Sequence, residues 1–352
     1  MTNPQSAPVP PPAKRRSRGR AALVMIGKVV LVLVGIRLVI AALRSVDWAQ
    51  VGDALGRLTW LELLVIAVIV GIRQFVNSST LSVLLPGLPL SHALSTALSG
   101  TVIQTFTPPP ADAVLRLTML KSYRVEPTRG AAALVLDTIV FYLARFVAPI
   151  IGLFLAFAVI PVESIQVWMA VLGLVAGGVL IWALAMIARG ETAASTVGRV
   201  AGGVVRRLRP TVDPDAWALA VVRFQRESSA GLTGKIARST PIMLGFVLVD
   251  SLVLVVSLRF VGIPGAHIGY LAVVAALFGL YPLTIFPFAG LGVLDAALIV
   301  LINAEGVADP ADLVAAMVIW RAATLILPLI PGSVALTVWR ARQPNGATET
   351  PA

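Results

Sequence analysis

Long apolar stretches recur along the chain and are separated by shorter polar segments. Six of them have the roughly 20 residues that a helix needs to cross the hydrocarbon core of a bilayer. They cover residues 21–43, 61–85, 130–160, 165–188, 239–261 and 313–338. We predict a transmembrane helix for each. Residues 44–58 differ, because their apolar side chains share one helical face, and there we predict a short helix at the membrane surface.

Two further apolar stretches, residues 91–120 and 268–302, contain residues that interrupt a helix. These are Pro108, Pro109 and Pro110 in the first stretch and Pro287, Gly290 and Gly292 in the second. Neither half of either stretch is long enough to span comfortably, because proline and glycine at this density end a helix. Broken backbone inside a bilayer must be buried in protein or line a polar cavity. We therefore predict two re-entrant hairpins, each made of two short helices that meet at a break.

The order span, span, hairpin, span occurs twice, in residues of about 21–160 and 165–340. Residues 87–92 resemble residues 262–267, and Asp112 and Asp295 are each followed 15 residues later by a proline. The sequence thus predicts an all-α polytopic membrane protein. It would have about six full spans plus two re-entrant broken-helix hairpins, arranged as an inverted repeat. This architecture is typical of transporters.

The composition agrees with a membrane protein, since 58% of the 352 residues are hydrophobic and only 13% are charged. Soluble domains are about 45–50% apolar and about 25% charged, so a water-soluble globule or a disordered chain is excluded. The chain has no cysteine, which excludes disulfides, thiolate metal sites and thiol catalysis.

The net charge of +11 reflects orientation in the membrane. If the first hairpin opens to the cytoplasm and the second to the outside, most Lys and Arg lie on the cytoplasmic side, as the positive-inside rule expects. We expect a cell-membrane protein with both termini cytoplasmic, contacting anionic lipid head groups rather than nucleic acid. Residues 1–20 and 343–352 are predicted to be disordered tails around a membrane domain at 21–342, with a basic cytoplasmic segment at 189–238. In that segment we predict a basic helix that lies on the membrane surface.

Charged residues inside apolar stretches are the candidate substrate-binding groups, because each costs about 2.5–3.5 kcal/mol or more at a membrane centre. They are Asp112, Arg116, Asp137, Arg145, Asp250, Asp295 and Arg321. A guanidinium can bind two oxygens of a lipid phosphate at once. The alternative is structural pairing within the bundle, for example of Asp250 with Arg321 or of Asp112 with Arg116.

Other polar residues have simpler interpretations. Arg73 shares a polar face with Gln74 and Asn77, which either lines the cavity or joins neighbouring helices. His92 and His267 begin the hairpins, where helix capping is the expected role. The sequence contains no catalytic motif, and we expect no metal and no cofactor.

Five short motifs lie in the predicted hairpins and the spans that follow them. They are residues 106–116 (FTPPPADAVLR), 133–137 (ALVLD), 286–295 (FPFAGLGVLD), 319–322 (IWRA) and 328–332 (PLIPG). Together they resemble the transmembrane domain of lysylphosphatidylglycerol synthases, which also occurs as a stand-alone, flippase-like membrane protein family. The first motif lacks the two glycines usual in that family, and Asp137 is not followed directly by arginine. The resemblance implies two re-entrant segments and movement of a polar lipid between leaflets.

Three hypotheses follow. The first is a flippase for a phospholipid or a lipid-linked head group, with the phosphate near Arg116, Arg145 and Arg321. The second is a membrane enzyme, or the accessory subunit of one, that acts on a lipid head group through Asp112 and Asp295. The third is a partner-binding scaffold. No counterpart of the synthase's aminoacyl-transferring domain is found, so we expect no synthase activity and a possible separate synthase or glycosyltransferase partner.

Overall fold

The computed structural model describes residues 49, 52, 53, 56, 58–107, 110–159, 164–209, 211–228, 231–303, 306 and 308–343. All regular secondary structure in these residues is helical, which confirms the predicted all-α class. The predicted span at 21–43, most of the surface helix at 44–58, the N-terminal tail, Pro108, Pro109 and residues 344–352 lie outside the described residues.

Thirteen α-helices, numbered in chain order, make up this part of the chain. They are α1 (Trp60–Leu84), α2 (Leu90–Phe106), α3 (Ala111–Ser122), α4 (Pro127–Val159), α5 (Ser164–Ala188), α6 (Glu191–Leu208), α7 (Pro214–Ser228), α8 (Leu232–Phe260), α9 (Tyr270–Leu280), α10 (Pro287–Gly290), α11 (Val293–Ile302), α12 (Pro310–Arg321) and α13 (Leu329–Ala341). A 3₁₀ segment (Tyr281–Ile285) follows α9, and a π-helical turn (Ala322–Ile326) joins α12 to α13.

Five segments are long and apolar enough to cross a membrane: Trp60–Leu84, Pro127–Val159, Val167–Ala188, Thr233–Phe260 and Pro310–Ala341. Each contains or overlaps one of the six predicted spans. Local sequence signals set several of their ends. Thr59 and Glu62 form a capping box at the start of α1, and the Asp309 carboxylate accepts the Ala311 N–H just before α12.

Helices α2 and α3 pack antiparallel against each other. The rings of His92, near the start of α2, and Tyr123, just after α3, stack with centroids 4.0 Å apart. Further along, the aliphatic part of Arg116 covers Gly100 so closely that a Cβ there would lie 2.9 Å from the Arg116 Cδ. The end of α3 therefore lies next to the start of α2.

The second broken stretch runs through α9, the 3₁₀ segment, α10 and α11. Within four positions, its break contains three residues with positive φ: Ala289 (56°), Gly290 (76°) and Gly292 (83°). A side chain at Gly290 would also meet the Leu283 carbonyl oxygen at 2.5 Å, so both conformation and space favour glycine there. Val261 before the stretch and Ile299 near its end both contact the first turns of α12, so its two ends also lie close together.

Two tight helix contacts hold the broken stretches against long helices. Gly152 of α4 lies against Gly279 of α9, where an added Cβ would sit 2.2 Å from the Gly279 nitrogen. Gly332 of α13 lies against α2, where a Cβ would sit 2.6 Å from the Leu98 carbonyl oxygen. Helices α1 and α8 also pack together along their length. Close backbone approach at small residues is the usual way that membrane helices associate.

In the described part of residues 189–238, two packed helices, α6 and α7, precede the start of α8, where the sequence predicted a single surface-lying basic helix. Pro214 begins α7, and Gly198 and Gly202 let the two backbones approach closely. Exposed ion pairs Arg199–Asp215 (3.1 Å) and Arg226–Glu191 (2.6 Å) join the helices. Hydrogen bonding to Arg226 lowers the pKa of the Glu191 carboxyl, and the same bond raises the pKa of Arg226.

Candidate functional site

Six largely buried charged residues form three ion pairs between helices. The first joins Arg73 of α1 to Asp250 of α8, with Nε 2.8 Å from Oδ1 and both side chains about nine-tenths buried. The Arg73 guanidinium also lies 4.3 Å above the Phe246 ring. Arg73, which the sequence left between two interpretations, therefore joins neighbouring helices. The predicted alternative pairing of Asp250 with Arg321 is wrong.

The second ion pair connects α3 to α4. Arg116 of α3 donates from Nη2 to Asp137 of α4 at 2.6 Å. The predicted alternative pairing of Arg116 with Asp112 is therefore wrong. Asp112 lies half-buried in the first turn of α3 and makes no ion pair with the residues that the structure describes. Pro110 immediately precedes that helix.

The third ion pair connects the second break to α12. Arg321 donates from Nε to Asp295 Oδ1 at 2.7 Å, while Asp295 Oδ2 accepts the Gly292 N–H at 2.6 Å. Arg321 also donates to the Ala289 carbonyl at 3.3 Å. Asp295 thus caps α11, and Arg321 fastens the cap and the break to the last membrane segment. Pro287 starts the short helix α10 just before these residues.

Arg145 of α4 is the exception. It is 6% exposed, and among the described residues it has no carboxylate partner. Its guanidinium lies over the Phe141 ring at 4.4 Å and near Tyr142 and Tyr281 at 5.5 and 5.9 Å. Its Nη2 donates a long hydrogen bond, 3.4 Å, to the Thr284 carbonyl. A buried arginine held by rings and one carbonyl retains capacity for an anion.

The ion-paired residues and Arg145 are arranged along α4 and on both sides of the second break. Asp137, Phe141 and Arg145 are spaced four residues apart and therefore share one face of α4. Arg145 reaches the carbonyl of Thr284 on one side of the break, and Arg321 reaches that of Ala289 on the other. The buried Tyr281 lies within electrostatic reach of Arg145, Arg73 and Asp250. The structure thus brings six of the seven predicted residues into ion pairs or next to the break.

Three guanidinium nitrogens in this arrangement are buried without a hydrogen-bond acceptor in the described part of the chain. They are Nε of Arg116, Nε of Arg145 and Nη2 of Arg321. Unsatisfied buried donors are uncommon in folded proteins and need an explanation such as water, an ion or a ligand. The described residues contain no group of three His, Cys, Asp or Glu side chains placed to hold a metal ion.

The chain matches the family described as Lysylphosphatidylglycerol synthase TM region over residues 25–332. The chain belongs to this family. A search of curated proteins gives no match.

Membership in the lysylphosphatidylglycerol synthase TM region family confirms the resemblance carried by the sequence motifs. Together with the five apolar segments, it identifies a multi-pass membrane protein with a lipid-related family background. The matched residues include the three buried ion pairs and Arg145. They end at Gly332, before the last two turns of α13.

Proposed function

We propose that this protein moves a phosphate-bearing lipid, either a phospholipid or a lipid with a linked polar head group, between the leaflets of the cell membrane. The observation that carries the proposal is Arg145. It is a buried cation without a carboxylate among the described residues, and it lies next to the second break, two turns along α4 from Asp137, which pairs with Arg116. A lone arginine is costly inside a membrane and marks a functional site unless something compensates its charge. A passing phosphate would do so transiently.

The contacts between helices support an inverted repeat. Helix α4, which follows the first hairpin, contacts α9 at Gly152, and α13, which follows the second, contacts α2 at Gly332. The ion pairs are also equivalent in the two halves. Arg116–Asp137 and Asp295–Arg321 each join the second helix of a hairpin to the next segment. Such reciprocal halves offer two related arrangements of one chain, which alternating access requires.

The short helices support re-entrant hairpins. Helix α2 has 17 residues and α3 has 12, and the two ends of this hairpin meet at the His92–Tyr123 stack. A 12-residue helix is about 18 Å long, which is less than the roughly 30 Å hydrocarbon thickness. We propose that the first hairpin opens to the cytoplasm with both chain termini, and that the second opens to the outside.

The enzyme alternative receives less support. It requires Asp295 as an acid or base, and both oxygens of that carboxylate are already occupied by Gly292 and Arg321. A carboxylate held as a helix cap and ion-pair partner is poorly placed to exchange protons with a substrate. A partner enzyme that makes the transported lipid is compatible with the proposal, and so are contacts of the basic α6–α7 helices with anionic lipid head groups.

Reconstitution tests the proposal. Liposomes containing the protein and a head-group-labelled fluorescent phospholipid are treated with dithionite, which destroys fluorescence in the outer leaflet. We expect wild type to expose inner-leaflet lipid, and Arg145→Gln to slow this exposure about tenfold, because a charge-assisted contact is lost. Arg145→Gln leaves no described carboxylate unpaired, so the fold should persist.

Arg259→Gln is the matched control. Arg259, at the end of α8, also donates to backbone carbonyls, those of Ile263 and Ile268, but it lies away from the second break. We expect its transport rate to stay near that of wild type. Equal rates for Arg145→Gln and wild type, or no difference between wild type and protein-free liposomes, would refute the proposal.

A further inference from the structure

A cleft of about 420 Å³ opens between the first hairpin and the end of α13. The hairpin wall comprises Ser91, His92, Ser95, Ser122 and Tyr123, and the α13 wall comprises Ala335, Val338, Trp339, Arg342 and Gln343. We call this the α2–α13 cleft. None of its residues belongs to the ion pairs or contacts Arg145, and its α13 wall lies beyond the residues matched by the family.

The hairpin wall is suited to an anion. It presents the hydroxyls of Ser91 and Ser95, whereas the Ser122 hydroxyl donates to the Met119 carbonyl and the Tyr123 phenol donates to Ser95. Among the described lining residues Arg342 is the only charged side chain, and none is a carboxylate. His92 is fixed by its stack on Tyr123, and its buried Nδ1 has no hydrogen-bond partner among the described residues. Hydroxyl, imidazole and guanidinium groups together are typical ligands of phosphate oxygens.

The α13 wall is suited to an apolar chain. Ala335 and Val338 present alkyl groups, and the Trp339 indole N–H donates to the Ser122 hydroxyl at 2.9 Å, which holds the ring across the end of the hairpin. Tryptophan with an apolar body and a polar contact is characteristic of the membrane interface. The cleft thus combines a polar hairpin wall and Arg342 with the alkyl groups of Ala335 and Val338, and this combination fits an amphipathic ligand better than free phosphate.

The cleft is the open end of a seam that is closed further inside. Seven residues before Trp339, Gly332 contacts the Leu98 backbone too closely to admit even a methyl group. Seven residues of helix correspond to about 10 Å. A ligand in the cleft would therefore bind at the outer end of the α2–α13 contact. It could move deeper between these helices only if α2 and α13 separated.

We propose that the α2–α13 cleft binds the glycerophosphate part of a membrane phospholipid. Arg342 and His92 contact the phosphate, and the acyl chains leave along Val338 and Trp339. The inference deepens the proposed function by assigning a position to the lipid before it moves. Its test measures occupancy and not transport, so the two proposals can fail separately.

The absence of cysteine makes a specific probe available. Ala335→Cys, purified in dodecyl maltoside micelles, is alkylated with a water-soluble maleimide in the presence of dihexanoyl phosphatidylglycerol below its micellar concentration. At ten times the Kd we expect about tenfold slower alkylation, because occupied clefts are protected. Parallel samples contain glycerol 3-phosphate or inorganic phosphate at the same concentration, and these are expected to protect weakly.

Two arginine variants in the Ala335→Cys background identify the phosphate contact. Arg342→Gln should raise the lipid concentration needed for half-maximal protection about tenfold, because it removes a charge-assisted contact. Arg340→Gln is the matched control, since Arg340 lies in the same exposed helix end but does not line the cleft, and should leave protection unchanged. Melting temperatures of both variants are measured to exclude misfolding.

Three outcomes would overturn the inference: no protection by the short-chain lipid, protection by glycerol 3-phosphate as strong as by the lipid, or equal protection in Arg342→Gln and Arg340→Gln. If protection is absent while liposome transport is intact, the cleft inference alone fails. If protection occurs without transport, the cleft inference stands and the proposed function fails.

Discussion

The four arginines that face the interior of the described bundle differ in what compensates their charge. Arg73, Arg116 and Arg321 each contact an aspartate within 2.8 Å, whereas Arg145 contacts rings and a carbonyl. Removing one member of a buried pair leaves the other as an uncompensated charge, but removing both leaves none. Arg145 can be neutralised without that penalty, which makes it the most informative residue for function.

The Arg73–Asp250 pair gives a prediction about stability. Asp250→Asn should lower the free energy of unfolding by about 3–5 kcal/mol, because Arg73 then remains buried without its carboxylate. The double change Arg73→Met with Asp250→Leu should recover most of that loss. Unfolding by sodium dodecyl sulfate in mixed micelles, followed by circular dichroism, measures both values.

A surface pair supplies the comparison. Arg199 and Asp215 are more than half exposed, so Asp215→Asn should change the free energy of unfolding by less than about 1 kcal/mol. If the double variant at Arg73 and Asp250 is as unstable as Asp250→Asn alone, mutual compensation of the two charges is not their structural role.

Sequence reasoning could find these charged residues but not their partners. A charge in an apolar stretch stands out because its insertion is costly. Its partner depends on which helices pack together, and Arg73 and Asp250 are 177 positions apart. The pairing of Asp250 with Arg321 was therefore mispredicted. The polar neighbours Gln74 and Asn77 were the one local signal that Arg73 faces another helix.

At the scale of whole helices, small residues decide where two elements can touch. The α4–α9 contact at Gly152 and the α2–α13 contact at Gly332 leave no room for a side chain. In a membrane, helices gain little from burying apolar area against each other, so close backbone contact supplies much of their attraction. These two glycines therefore fix the positions of both broken segments.

A glycine-to-alanine comparison tests this argument. Gly152→Ala places a Cβ 2.2 Å from backbone, which cannot move aside as a side chain could, and should cost about 1–3 kcal/mol as overpacking does. Gly178→Ala on α5 meets nothing within 4 Å and should be neutral or slightly stabilising. Melting temperatures in micelles measure both, and equal effects would contradict a specific contact at Gly152.

Helix positions were more predictable than helix contacts. The apolar stretch 61–85 became Trp60–Leu84, and 165–188 became Ser164–Ala188, because length and hydropathy define a membrane helix almost without reference to its neighbours. The pairing of α6 with α7 was missed, since it depends on Gly198 and Gly202 facing α7. The break at Gly290 and Gly292 was predicted from composition, but its fastening by Arg321 was not.

At the scale of the molecule, the orientation of every segment follows from one assumption, that each hairpin returns to the side from which it entered. The His92–Tyr123 stack and the Trp339–Ser122 hydrogen bond place both ends of the first hairpin beside the end of α13. The C-terminal end of the chain and the first hairpin should thus face the same compartment. Basic residues of α6 and α7 should face it too, by the positive-inside rule.

Three single-cysteine variants decide the topology, since the chain has no cysteine of its own. Ala216 in α7, Ala266 between α8 and α9, and Lys121 near the end of α3 are all exposed. A membrane-impermeant maleimide applied to intact cells should label Ala266→Cys alone, whereas inside-out vesicles should label Ala216→Cys and Lys121→Cys. Ala216 and Ala266 are matched, because both are exposed alanines outside the five apolar segments. Labelling of Lys121→Cys from the outside would mean that the first hairpin crosses completely. Four basic residues at positions 116–129 would then lie on the wrong side, and the reciprocal arrangement of the two halves would be lost.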